Sequence, residues 1–518
     1  MITLTGSDLS IEEVVAVARG CEKVAPLDAP VRERMSRSNA WIEDVVAAGD
    51  RPIYGVNTGF GPLATERVRP DQAGRLSRNL ILNCCAGVGP PLGEDVVRAM
   101  MVIHANTLAR GNSGVRPELA ESFIRMLNKG VCPYVPSKGS LGASGDLAPL
   151  AHIGLVITRD PDEDGEDTGK AWFEGELLSG AEAMEQAGIP RIVPRAKDGL
   201  ALTNGTTFML GAATLAVSDA LDLMEHAVAA GAMSLEALRA RSNFLHPALH
   251  DASGQNGQAE VAWNLRRLLE GSRLLDSDPE RVQDAYSLRC IPQVYGPIGD
   301  AVRFVASRVG SLLNGTSDNP LVFMELPDGS GPDVVSGGNF HGQGLALWLD
   351  LLGIAVAEIG SLSERRTFRL LTPDLSEGLP SMLVPNPGLD SGLMVAQYTA
   401  AALVSDNKTL AHPDSVDSIP SSANQEDHVS MGANAARHTL EILENLRHIV
   451  AIELLTAAQA IDLREAGPDG LAPLTRTVYD KIRSRVRFLE HDRSLTPDIE
   501  AVADLVKSNA VLADVREH

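Results

Sequence analysis

The sequence predicts an all-α fold, an extended bundle of long helices with a smaller mixed region at its N-terminal side. Three observations predict it. Aromatic residues are only 4% of the 518 while apolar residues reach 44%, and Ala, Leu, Val and Glu abound, a balance that favours helices over sandwiches or barrels. Beyond about residue 205, long stretches carry apolar residues at three-and-four spacing, the period of one helix face. Clusters of Gly, Asn, Pro and Asp separate these stretches, and such residues end helices.

Taken in order, residues 1–200 are broken by Gly and Pro and read as short helices mixed with loops. They form one expected region, and 201–518 the other, a long central bundle with C-terminal helices. The acidic run at 159–167 is expected to be a solvated loop. The periodic stretches cover 211–241, 342–371, 391–412 and 431–466. A thirty-residue helix is about 45 Å long, and several side by side make an extended bundle. Their apolar faces are too broad for one bundle to cover, which predicts association into an oligomer. The breaks Thr316-Ser317-Asp318-Asn319-Pro320, Ser336-Gly337-Gly338-Asn339-Phe340 and Pro385-Asn386-Pro387-Gly388 are places where functional residues tend to sit.

Lys and Arg number 45 against 68 Asp and Glu, a net charge of −23. With no basic patch or stripe, neither nucleic acid nor an anionic membrane is an expected partner. The opening Met1-Ile2-Thr3-Leu4-Thr5-Gly6-Ser7-Asp8 has no basic or apolar leader segment, so no signal peptide is expected. No run of 18 apolar residues is free of charge, so no membrane span is expected. The five cysteines, Cys21, Cys84, Cys85, Cys132 and Cys290, are odd in number in a long acidic chain. That predicts free thiols and a cytoplasmic location. No Cys/His spacing reads as a zinc site, and no metal is expected.

The most informative stretch runs from Lys138 to His152. Gly139, Gly142 and Gly145 crowd its centre and remove the Cβ atoms that obstruct a tight backbone loop. The Gly145 amide nitrogen can then close on the Ala143 carbonyl carbon. Loss of two waters, one from the Ser144 side chain, makes a methylidene-imidazolone (MIO) from the chain itself, with no external cofactor. This ring is an electrophile that none of the twenty side chains provides. It attacks electron-rich amines or aromatic rings, which points to removal of ammonia from an amino acid. The tripeptide alone carries little weight: Ala252-Ser253-Gly254 repeats it and reads as an ordinary polar loop. Asp146 follows at an expected helix start, where an acidic residue is favourable.

Five further polar clusters stand out. Tyr54-Gly55-Val56-Asn57-Thr58-Gly59-Phe60-Gly61 is a glycine-rich loop led by a tyrosine. Such a residue is usually an amphipathic surface group, and with a lowered pKa it serves as a general base. Leu202-Thr203-Asn204-Gly205-Thr206 precedes a long helix and reads equally well as a cap. In Gln283-Asp284-Ala285-Tyr286-Ser287-Leu288-Arg289-Cys290, the residues Gln283, Tyr286 and Arg289 are spaced to share one side of a helical turn. Arg289 suits a carboxylate or an intersubunit ion pair. Gly338-Asn339-Phe340-His341-Gly342-Gln343 feeds a long helix. Ser422-Ala423-Asn424-Gln425-Glu426-Asp427-His428-Val429-Ser430 either caps a helix or lines a pocket, with Glu426 a candidate proton acceptor or cation binder. His152, His412 and His428 read as hydrogen-bonded core or interface residues rather than ligands.

In this combination and order, the clusters resemble the MIO-dependent aromatic amino acid lyases: the histidine, phenylalanine and tyrosine ammonia-lyases and the related 2,3-aminomutases. The likeness runs from about Gly6 past residue 460. It implies a fumarase/aspartase-like helical fold, a homotetramer, and active sites built from several subunits. It implies that Ala143, Ser144 and Gly145 become the MIO ring, that Tyr54 is the base for the β-proton, and that Asn204 hydrogen-bonds the ring. It further implies that Tyr286 stands beside the ring, that Arg289 clamps the substrate carboxylate, and that Gln283, Phe340 and Gln425 line the pocket. Glu426 and Met394 match the histidine enzymes. One position departs. Asn83-Cys84 stands where histidine lyases usually carry Ser-His, and it matches neither the tyrosine nor the phenylalanine pattern, although an amide or thiol there still contacts a substrate ring. The resemblance therefore implies elimination of ammonia from an aromatic L-amino acid, histidine-like first. A tyrosine or phenylalanine lyase and a 2,3-aminomutase are the alternatives within the family, and an inactive lyase-fold scaffold the alternative outside it.

Overall fold

A computed structural model describes residues 1–161 and 167–516. The centre of the acidic run, 162–166, lies outside the described residues. Helices dominate, and the four stretches picked out by spacing are helical: Thr207–Ala237, Gln343–Leu371, Met394–Leu410 and Gly432–Asp462. The first stops short of its periodic pattern because Arg239 turns to a φ of 53°, which no α-helix accommodates. A further long helix, Ile291–Leu312, carries Pro297 inside it.

The chain forms two compact units. The first comprises Met1–Ser218, Val305–Asp350 and Pro413–Arg437, and the second Asp219–Phe304, Leu351–His412 and His438–His518. The first unit is more helical than its Gly and Pro content predicts. Helix Ala29–Ala48 runs 20 residues, with Asp28 accepting from Val31 N at its start and Gly49 left-handed at its end, a complete pair of stop signals. Helix Glu94–Ala109 is buried at every position from Val96 to Ala109. Its polar side chains are matched accordingly: Arg98 donates to Val17 O and Ala18 O, His104 Nε2 meets Ala201 O at 2.9 Å, and Asn106 bridges Gly6 N and Leu313 O.

Among the described residues, three small antiparallel sheets complete this unit. Strand Val88–Pro91 pairs with Pro136–Lys138. It ties the end of helix Ala73–Cys84 to the start of the Ser140 loop. Cys132–Pro133, Lys170–Phe173 and Glu176–Ser179 form a second sheet, and Leu321–Phe323 with Asp333–Val335 a third.

The second unit is organised around a fully buried ion pair. Arg366 and Glu453 have no exposed side-chain surface. Arg366 Nη2 donates to Glu453 Oε2 at 2.8 Å and to the Tyr295 hydroxyl at 2.8 Å, while Ser363 and Ser234 donate to the two carboxylate oxygens. Every strong group in this cluster has a partner, which a buried charge requires.

Helices Thr207–Ala237 and Gln343–Leu371 are long and apolar enough to cross a membrane by length and composition. Their most apolar windows are 72% and 56% buried inside the protein, and that burial accounts for their composition. All five cysteines are free thiols.

Candidate active site

The tripeptide Ala143-Ser144-Gly145 lies between strand Pro136–Lys138 and helix Leu147–Ile157. Gly142 and Gly145 take φ values of 65° and 75°. A Cβ at Gly142 would strike the Ser430 hydroxyl, and one at Gly145 would strike the backbone of Gly205. Both positions therefore demand glycine on conformational and steric grounds. Gly145 pairs with Gly205, and Asp146 N donates to Gly205 O at 2.7 Å. The second copy shares the left-handed glycine but not the crowding around it. Ala252-Ser253-Gly254 is not a loop but the end of helix Pro247–Ser253, with Gly254 as its left-handed cap and open space around it.

Two side chains hold Ser144. Asn204 Nδ2 donates to the Ser144 carbonyl at 2.7 Å, and the Ser144 hydroxyl donates to Glu426 Oε1. The other carboxylate oxygen of Glu426 accepts from Ser421 Oγ at 2.8 Å and Ser422 Oγ at 3.1 Å. Ala143 is buried against Leu141, Val429 and Met431. Asn204 is thus not the cap of the helix that follows it. That cap is Asp146, whose Oδ2 accepts from Met209 N at 3.0 Å and whose carboxylate also receives the Phe208 amide. Asp146 stands at the start of helix Leu147–Ile157, as the sequence predicts, but its side chain makes no capping bond to that helix. Burial pushes its pKa up to about 7, against the lowering effect of those hydrogen bonds.

The tyrosine loop lies next to the glutamate loop, since the turn Gly61–Leu63 packs on the turn Ser422–Asn424. The Tyr54 hydroxyl accepts from Gly61 N at 3.0 Å, and its ring meets Phe60 edge-on at 6.4 Å. Cys84 ends helix Ala73–Cys84. Burial, reinforced by the Glu426 carboxylate, pushes its thiol up to about 11, while burial and the Cys84 neighbour push Cys85 to about 12, so both stay protonated at neutral pH. Asn83 and Gln425 are exposed and Phe340 half-buried. The Phe340 loop reaches the tripeptide through Gly342 N, which donates to Gly142 O at 3.1 Å. His152, expected to be hydrogen-bonded, is half-buried with no partner for Nε2, and burial lowers its pKa.

Gln283, Tyr286, Arg289 and Met394 belong to the second unit. Gln283 does not share a helical turn with the other two, because the helix is the single turn Tyr286–Arg289 and Ala285 before it is extended. The Asp284 carboxylate accepts from Arg241 N and pairs with Arg281, which holds this stretch out of helical form. Tyr286 is 71% exposed. The Arg289 guanidinium lies 4.8 Å from its ring centre, and Arg289 Nε has no hydrogen-bond partner. Met394 opens helix Met394–Leu410.

The sequence showed neither Asp146 as the cap of helix Thr207–Ala237 nor the partner of Ser430, whose Oγ donates to Gly142 O at 2.9 Å. Ser422, named only as a member of the Glu426 cluster, and Ser421, which precedes that cluster, are the hydrogen-bond donors to Glu426.

The aromatic amino acid lyase family matches residues 9–484. A histidine ammonia-lyase of Treponema denticola is 47% identical over 508 residues, covering 98% of this chain and 97% of that protein. Among solved structures, a tyrosine aminomutase from Streptomyces globisporus superposes with a TM-score of 0.92 at 36% identity, covering 100% of this chain and 98% of that one. Histidine ammonia-lyase from Trypanosoma cruzi superposes with a TM-score of 0.89 at 38% identity, covering 100% and 95%.

Proposed function

From the premise that the chain belongs to the aromatic amino acid lyase family and is a carbon–nitrogen lyase, we propose that it eliminates ammonia from L-histidine to give the trans-α,β-unsaturated acid. The observation that carries the proposal is the grip on Ser144: Asn204 on its carbonyl and Glu426 on its hydroxyl. The hydroxyl that must leave as water is already hydrogen-bonded to a carboxylate, and the flanking glycines allow the backbone to fold tightly. These features suit condensation of Ala143-Ser144-Gly145 to MIO. That group supplies an electrophile able to activate an amino acid toward loss of ammonia.

The remaining steps fall to the chain's own side chains. The β-proton is barely acidic, and Tyr54, on the loop packed beside the Glu426 loop, is the base we assign to it. Arg289, with Nε unpartnered, is the carboxylate clamp, and fixing the substrate in this way lowers the barrier by orientation. Glu426, held by two serine hydroxyls, is the group we assign to accept an imidazole N–H. On the resemblance, we assign Asn83, Cys84, Phe340 and Gln425 of the first unit to the pocket, and Gln283, Tyr286 and Met394 as residues brought to such a pocket by the subunits of an assembly. The exposed Tyr286, and Leu347, Leu351 and Ile354 exposed at helical spacing, support a homotetramer whose subunits share each site. The charge of −23 and the free thiols suit a cytoplasmic enzyme.

One observation favours a second reading. Cys84 puts a neutral thiol near Glu426, in the place where the resemblance calls for a histidine, and a tyrosine aminomutase is among the similar structures. Incubation with each natural aromatic amino acid decides between them. Ultraviolet absorbance of a conjugated acid from histidine alone supports the proposal. Absorbance from tyrosine or phenylalanine, or a β-amino acid on chromatography, replaces it with the second reading.

A further inference from the structure

Two loops of the first unit meet at the tripeptide. One carries Phe340 and enters helix Gln343–Leu371, and the other carries Glu426 and enters helix Gly432–Asp462. Each holds the arm before Ala143: Gly342 N donates to Gly142 O at 3.1 Å, while Met431 N donates to Leu141 O at 2.8 Å and Ser430 Oγ to Gly142 O at 2.9 Å. The loops also bind each other directly, through His341.

His341 Nε2 lies 3.2 Å from the carbonyl of His428, and His341 Nδ1 lies 3.2 Å from Gln343 N. A carbonyl only accepts and a backbone N–H only donates. The network therefore assigns the proton to Nε2 and leaves Nδ1 as an acceptor. The His341 and His428 rings lie face to face, 5.7 Å apart and 6° from parallel. One neutral imidazole thus starts a helix with one nitrogen and fastens the opposite loop with the other.

We propose that His341 is a positioning residue that brackets the Phe340 loop to the Glu426 loop and so sets the width of the substrate pocket. The proposal rests on the reading that Phe340 and Glu426 flank the substrate. It assigns His341 no contact with the reacting atoms. Any residue that replaces it must offer a donor and an acceptor at similar reach. A glutamine amide does, and a leucine of similar bulk does not.

Two measurements on purified His341→Leu and His341→Gln variants of the full chain test it. The first is hydrogen exchange of the segments 336–342 and 421–430, which needs no turnover. Exchange at least about ten-fold faster in the leucine variant, with near-parent rates in the glutamine variant, supports the bracket. Unchanged exchange in the leucine variant, or equal acceleration in both, overturns it. The second is kinetics with whichever aromatic amino acid the parent converts. KM is expected to rise about ten-fold in the leucine variant with kcat within about two-fold, and to recover in the glutamine variant. A parent that converts no aromatic amino acid defeats the proposed function, and the exchange measurement still decides the bracket. Intact-protein mass reports whether Ser144 has been dehydrated in each variant. Loss of dehydration in the leucine variant alone would place His341 in ring formation and overturn the pocket role.

Discussion

The Ser144 hydroxyl donates to the Glu426 carboxylate across 282 positions of chain. Glu426 is fixed by Ser421 and Ser422, so the serine meets a preset acceptor rather than a mobile surface group. In the proposed reading, this hydroxyl is the one lost when the tripeptide condenses. Ser144→Ala is expected to abolish turnover and to leave the tripeptide peptide at its full, undehydrated mass. The melting temperature should move little, since alanine loses only the bond to Glu426, which keeps its two other serine donors. Near-parent activity in this variant would refute the assignment.

Cys84 tests the substrate. Its thiol is neutral and near Glu426, at the last residue of helix Ala73–Cys84. An imidazole there offers a substrate ring a hydrogen bond that a thiol offers only weakly. Cys84→His is expected to raise kcat/KM for histidine by about ten-fold. No gain, or a gain for tyrosine instead, would mean that residues elsewhere shape the pocket.

Those two predictions rest on residues of unequal legibility. The helices were legible because burial on one face imposes a local period, and the four periodic stretches end within a few residues of their patterns. The tripeptide was legible because its glycines are local too, and the structure separates it from Ala252-Ser253-Gly254 by what surrounds Gly145 and Gly254. The partners of these groups were not legible. Asp146 caps a helix whose donating amide, Met209 N, is 63 positions away, and Ser430 reaches Gly142 across 288. No local pattern encodes a pairing made only by the fold. The same limit misplaced Gln283, whose neighbour Asp284 is held by Arg241 outside the segment.

The Arg366–Glu453 pair tests stability without touching the candidate site. Both side chains are fully buried, and Glu453 answers Arg366, Ser363 and Ser234 together. Glu453→Gln removes the charge while keeping the shape, leaving a buried guanidinium uncompensated. Breaking such a pair from one side costs about 3–5 kcal/mol. Denaturant unfolding of the variant should show a loss of that size. A loss below about 1 kcal/mol would mean that water reaches the cluster.

Asp146 tests pH dependence. Its carboxyl ordinarily titrates near 3.8, and burial raises it to about 7 in the folded chain. Between these values the folded chain holds a proton that the unfolded chain has released. Stability from this group is therefore full below its unfolded value and is lost as pH rises through about 7. Asp146→Asn removes the titration but keeps a side-chain oxygen able to accept from Met209 N. Glu236, also raised to about 7 by burial, titrates in both proteins and cancels in their difference. The melting temperature of the parent minus that of the variant should therefore fall steadily from about pH 4 to about pH 7.5. A difference that stays flat over this window would show that Asp146 is ionised throughout, held charged by the helix N-terminus it caps, and that burial is not the dominant influence on it.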